Sequence, residues 1–159
     1  MQPFAVPVGV RDDDTGAYWS LSWQPVGLPL AEAKYECRHG LSYARYRSEV
    51  NRIAGEQTLF IPPDDDCELW DVRLTNTGDT PRRLSVFGYC EFSFHSIDMD
   101  NQNFQMSLYS ADARYTDGLI AYRLRYENNA DEFFACTETP HSHDCLRDAF
   151  IGAYRTERN

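Results

Sequence analysis

Side chains over 67–76, 83–94 and 119–126 alternate with a period of two, and that pattern points these segments to sheets. Trp70, Val72 and Leu74 alternate with Asp71, Arg73 and Thr75. Leu84, Val86, Cys90, Phe92 and Phe94 share one phase with Gly88 among them, and Ile120, Tyr122, Leu124 and Tyr126 alternate with Ala121, Arg123 and Arg125. Successive side chains of a strand point to opposite faces, so this spacing builds half-buried strands and would scatter apolar groups around a helix. Strands are expected over 67–76, 83–94 and 119–126. Turn chemistry separates such runs at Asp14-Thr15-Gly16, Val50-Asn51-Arg52, Pro62-Pro63-Asp64, Gly78-Asp79 and Thr116-Asp117-Gly118. Strands joined by short turns throughout predict an all-β chain, an antiparallel β-sandwich. The one helix signal is Ser142–Ile151, where a short turn opened by an Asp or Ser cap is expected.

At 159 residues the chain reads as one domain, 1–159, with enough length for a core. Fifteen Lys and Arg against twenty-five Asp and Glu give a net charge of −10, which argues against nucleic acid and an anionic membrane as partners. No apolar run reaches the length of a membrane span. The five cysteines are odd in number and form no CxxC pair, so they read as reduced thiols of a cytoplasmic protein. Cys90, on the apolar phase of 83–94, is expected as a small core residue. Ten Tyr, nine Phe and three Trp suit a sheet core and a sugar-handling protein alike.

Chemistry concentrates in Glu91–Gln105, "EFSFHSIDMDNQNFQ", which places His95, Ser96, Asp98, Asp100, Asn101, Gln102 and Asn103 within nine positions. Short amides and carboxylates at this density match a hydroxyl-rich ligand, and a merely solvated loop is the competing reading. Elsewhere, Cys37 and His39 stand two apart on an extended segment, a spacing that fits a nucleophile–base hydrogen bond poorly. An ion pair and a turn at Gly40 are the expectation there. His141, His143 and Cys145 alternate but lack a further ligand for zinc, and a polar loop is expected. The run from Asp98 lacks the glycine and the final glutamate of a calcium loop. Asp98 and Asp100 share one loop, whereas carboxylates that cleave a glycoside flank the bond from opposite sides.

Taken together, "RDDDTGAYWS", "YECRHGLSY", "ELWDVRLTNTGDTPRRLSVFGYCEFSFH", "NQNFQMSLY" and "DCLRDAFIGAYRTE" resemble, in collinear order, the inverting glycoside phosphorylases once classed as glycosyltransferase family 36 (glycoside hydrolase family 94). The cellobiose phosphorylase branch looks nearest. The resemblance implies a galactose-mutarotase-like supersandwich, lacking its first strands, from a longer hexosyltransferase whose (α/α)-barrel is absent here. The family's general acid, in a "DWND"-like context, and its phosphate site belong to that barrel, so no catalytic residue, cofactor or metal is expected in this chain. Inorganic phosphate is the co-substrate of the longer enzyme. The resemblance further implies a homodimer in which a loop of this domain approaches the partner's acceptor sugar. Asn103 and Gln105 are the foremost acceptor-contact candidates, followed by Ser96, Asp98 and Asp100. Ser96 stands where several relatives carry Asn, and Met106 where they carry a basic residue.

Two other functions compete. A free-standing carbohydrate-binding module needs an exposed aromatic platform, for which Tyr18, Trp19 and Trp23 are the candidates, although Trp19 and Trp23 are expected to pack inward. A mutarotase-like enzyme needs a histidine and an acid facing each other, a role open to His95 and Asp98.

Overall fold

The turn at Asn51-Arg52 fixes the register of the largest sheet. Both residues take the left-handed backbone conformation (φ 49° and 63°), which matches the right-handed twist of flanking strands and closes a two-residue hairpin between Val50 and Ile53. The computed structural model describes residues 8–92, 98, 102, 111–124, 131–153 and 155. These form two compact units, one running up to Tyr89 and the other beginning at Cys90. Almost all regular structure is antiparallel sheet, as the alternation predicts.

The first unit holds β1 (Val8–Asp12), β2 (Tyr18–Ser20), β3 (Ala33–His39), β4 (Tyr43–Val50), β5 (Ile53–Phe60), β6 (Leu69–Asn76) and β7 (Leu84–Gly88). They build a three-stranded sheet ordered β2-β1-β7 and a four-stranded sheet ordered β3-β4-β5-β6. Val8, Val10 and Trp19 from one sheet meet Ala33, Val50 and Ile53 from the other, with Leu21 beside them, in one buried cluster. Trp70, Val72 and Leu74 pack against that cluster, so β6 carries its apolar phase inward as expected. The opposite phase of the four-stranded sheet is a ladder of charges, with Lys34 bonded to Glu49 (2.9 Å) and Arg47 to Glu56 (2.5 Å). Such exposed pairs each contribute little to stability.

The strand expected over 83–94 is shorter. β7 ends at Gly88, which pairs with Val8, and Cys90 lies past it, half-buried in the second unit. The period-two pattern runs past Gly88, but among the described residues the ladder with β1 ends there.

The turn after β1 is organised by a buried carboxylate. Asp12 is inaccessible to solvent and accepts hydrogen bonds from the Thr15 hydroxyl (2.8 Å), the Asp14 amide (3.0 Å) and the Arg82 guanidinium. Arg82 also donates to the Asn51 carbonyl (3.2 Å), tying this turn to the β4–β5 hairpin. Asp13 is held by Arg11 and Ser85, and Asp14 by Arg83. The Thr15 hydroxyl foremost, with Arg82 and the Asp14 amide acting with it against the effect of burial, lowers the Asp12 pKa from 3.8 to about 2. A carboxyl depressed in the folded state stabilises above its unfolded pKa, and that stabilisation is lost as pH falls through the folded value. Acid titration followed by circular dichroism is therefore expected to show stability falling from near pH 3.8 towards pH 2, with a flatter response in Asp12→Asn. An identical acid limb in that variant would remove Asp12 from the account.

The second unit holds β8 (Ala111–Thr116), β9 (Leu119–Leu124) and β10 (Asp131–Ala135) in a sheet ordered β10-β9-β8, and the short helix α1 (Arg147–Ile151). Asp117 and Gly118, both at positive φ, close the β8–β9 hairpin at the predicted turn. The helix falls within the expected span, but its cap differs. Leu146 occupies the cap position with extended backbone and no side-chain bond, because Asp144 and Ser142 stand too far upstream to reach the first turn.

Candidate functional site

Of the five candidate acceptor-contact residues, Asp98 alone falls among the described residues; it is exposed, with helical backbone. Ser96, Asp100, Asn103 and Gln105 lie outside the described residues, as does His95. The flanks of the loop are described, and both belong to the second unit. On the leading side, Arg147 Nε donates to Glu91 Oε1 (3.0 Å), and Phe92 meets Tyr122 edge-on with ring centroids 4.8 Å apart. On the returning side, Ala111 opens β8, paired to Leu124 of β9. The polar segment thus leaves from and returns to groups fixed on one sheet and its adjoining helix. Anchoring both flanks lowers the ordering cost of presenting hydrogen-bonding groups to a ligand.

The groups at this base are unusual for a surface. Burial pushes the Tyr122 phenol up to about 12, with Cys90, Cys145 and Glu91 acting in the same direction. Glu132 stands opposite Tyr122 in the β9–β10 register. Burial raises its pKa, and its Oε2 has no hydrogen-bond partner among the described residues. Tyr115 stacks on His143, with centroids 3.9 Å apart and planes inclined by 16°. A carboxyl of this kind holds its proton more readily than an exposed one. Yet the row across the sheet reads Glu132, Tyr122, Ala113, and brings no second acid to face it. Glycoside cleavage needs a second group across the bond, and no residue of this row supplies one.

The other sequence candidates divide. Cys37 Sγ lies 3.2 Å from His39 Nε2, so the spacing expected to fit such a hydrogen bond poorly does bring the two groups within reach. Both side chains emerge on one face of the edge strand β3, and the flexible imidazole closes the gap. The ion pair Arg38–Glu36 (2.6 Å) is present as expected. So is the Gly40 turn, where a Cβ would stand 2.2 Å from the Tyr43 ring. His141 is exposed and His143 is engaged by Tyr115; among the described residues no three metal-ligating side chains gather. Trp19 is buried in the core as expected, whereas Trp23 is 40% exposed with its indole N–H bonded to the Leu28 carbonyl (3.0 Å). Sequence reading missed Glu132, Tyr115–His143 and Glu91–Arg147. A strand at 131–135 was the only available signal for the first, and it is too short to carry a clear period.

Comparison with known proteins follows from the whole chain. A family model described as "Glycosyl hydrolase 94, supersandwich domain" matches residues 9–159. The N,N'-diacetylchitobiose phosphorylase of Vibrio furnissii is 50% identical over 155 residues, covering 94% of this chain and 19% of that protein. The enzyme of the same description from Vibrio proteolyticus is 51% identical over 157 residues, 96% of this chain and 19% of its own length. Solabiose phosphorylase of Paenibacillus borealis is 29% identical over 148 residues, 91% and 19% respectively. The chain therefore spans about a fifth of the length of the curated relatives it matches.

Proposed function

This chain belongs to the glycosyl hydrolase 94 supersandwich domain family, and from that premise we propose that it is the non-catalytic sheet domain of a disaccharide phosphorylase. Both units, residues 1–159 together, act as part of one supersandwich. The domain supplies a homodimer surface and offers the loop from Ser96 to Gln105 to the acceptor sugar, with Asn103 and Gln105 making the main contacts and Ser96, Asp98 and Asp100 assisting. Inorganic phosphate is the co-substrate of the longer enzyme, which works in the cytoplasm without a further cofactor. The observation that carries this reading is the 50% identity to an N,N'-diacetylchitobiose phosphorylase over 155 residues, which spans that loop. The anchored flanks of the loop support it. The relatives at half identity make the N-acetylated disaccharide the first substrate to test, with cellobiose, suggested by the sequence resemblance, as the comparison.

The isolated chain, given N-acetylglucosamine 1-phosphate and N-acetylglucosamine, is expected to release no phosphate. Positioning and charge stabilisation act only on reacting groups held together. In the longer phosphorylase, Asn103→Ala and Gln105→Ala are each expected to raise the acceptor KM about threefold to tenfold, the worth of one hydrogen bond to a neutral hydroxyl. Phosphate release by the isolated chain would end the proposal, as would loop variants with unchanged acceptor kinetics.

A further inference from the structure

The end of β3 carries two reactive side chains to which the phosphorylase reading gives no task. Ala33, Tyr35, Cys37 and His39 share one phase of this strand. Ala33 is buried and Tyr35 packs half-buried against the core, whereas Cys37 and His39 are exposed. The phase that begins in the core therefore ends in solvent. Because β3 is the outer strand of the order β3-β4-β5-β6, a small solute can reach both groups.

Cys37 Sγ and His39 Nε2 are 3.2 Å apart, within hydrogen-bond distance for sulfur. The thiolate, not the thiol, is the nucleophile, and a neighbouring imidazole can accept its proton. Guanidinium groups nearby are engaged by carboxylates, Arg38 by Glu36 (2.6 Å) and Arg47 by Glu56 (2.5 Å). Tyr46 stands opposite Cys37 in the β3–β4 register and meets the His39 ring edge-on, with centroids 6.3 Å apart. Burial foremost, then the charges of Cys37 and Glu68, raises the Tyr46 pKa. The phenol thus keeps its own proton and leaves the imidazole as the base in reach.

The other thiols lack this arrangement. Cys136 is exposed as well, but its Sγ donates to the Glu138 carbonyl (2.6 Å), an acceptor that cannot carry the proton away. Burial pushes the Cys145 thiol up. We propose that Cys37 and His39 form an activated thiol pair that reacts with small disulfides, making Cys37 a site of reversible mixed-disulfide modification. The thiol proton passes to Nε2, and the thiolate attacks one sulfur of the disulfide. A new bond to Cys37 Sγ forms as the S–S bond of the reagent breaks. Cys37 is oxidised, the departing sulfur is reduced, and it leaves with the proton from the imidazolium.

The test treats this chain at pH 7 with dipyridyl disulfide and follows each cysteine by peptide mass spectrometry. Cys37 is expected to react roughly tenfold faster than Cys136, short of the factor of about a hundred or more given by an enclosed general base. His39→Gln is expected to bring the Cys37-to-Cys136 rate ratio down to about one, and dithiothreitol to restore the free thiol. The ratio cancels any change common to both thiols, including one in the stability of the variant. Equal rates in the unaltered chain, or a ratio unchanged in His39→Gln, would overturn the assignment. Thiol chemistry is read directly on this chain, so the result stands apart from whether the longer protein is a phosphorylase.

Discussion

Replacing Trp19 with alanine is expected to lower the unfolding free energy by about 3–5 kcal/mol, the usual cost of deleting a large core aromatic. Trp19 heads the fully buried side chains by volume and joins the cluster that unites Val8 and Val10 with Ala33, Val50 and Ile53. It pairs with Val10 across the β1–β2 ladder. Because β2 is three residues long, few neighbouring side chains can move in to fill the space. Urea unfolding followed by circular dichroism measures the loss. Trp19→Phe provides the control: it keeps an aromatic ring and removes an N–H that has no partner among the described residues, so it is expected to cost clearly less. Equal losses in the two variants would mean that ring volume is not what holds the two sheets together.

Gly55→Ala is expected to cost about 1–3 kcal/mol, although the change adds a single carbon. A Cβ at this position would stand 2.4 Å from Leu21 Cδ2, 3.2 Å from Ser48 Oγ and 3.4 Å from Leu74 Cδ2. Leu21 is fully buried, so its methyl cannot retreat into solvent and the sheet must shift. Gly9→Ala is the matched control, since the nearest atom to its added Cβ is 3.8 Å away, and a change within about 0.5 kcal/mol is expected. The same urea midpoints distinguish the two. A Gly55→Ala protein as stable as the Gly9→Ala protein would contradict so close an approach of Leu21 to β5.

Much of the scaffold was legible because its causes are local. The alternation over Trp70–Thr75 gave the inward phase of β6, and Asn51-Arg52 and Asp117-Gly118 close the two hairpins foreseen from turn chemistry. The end of β7 was not legible, because apolar spacing continues past Gly88, the last residue paired with β1 among the described residues. The Cys37–His39 approach was also missed, since backbone spacing does not reveal how an imidazole rotates on an edge strand. The polar loop was recognised by its composition and by family resemblance, yet the groups that anchor it came only from the coordinates.

Periodicity and turn residues thus settled the class of the molecule and its strand phases, since each depends on neighbours within a few positions, while its kinship came from the resemblance of collinear segments. Which distant groups meet was decided by folding. Arg147 and Glu91 are 56 positions apart, and Asp12 and Arg82 are 70 apart. The core around Trp19 likewise draws Val8 and Val10 from one sheet and Ala33, Val50 and Ile53 from the other. Burial and partnership are properties of packed surfaces, so no reading of a linear pattern could have shown that the Asp12 carboxylate is fully enclosed while the Trp19 indole N–H has no hydrogen-bond partner among the described residues.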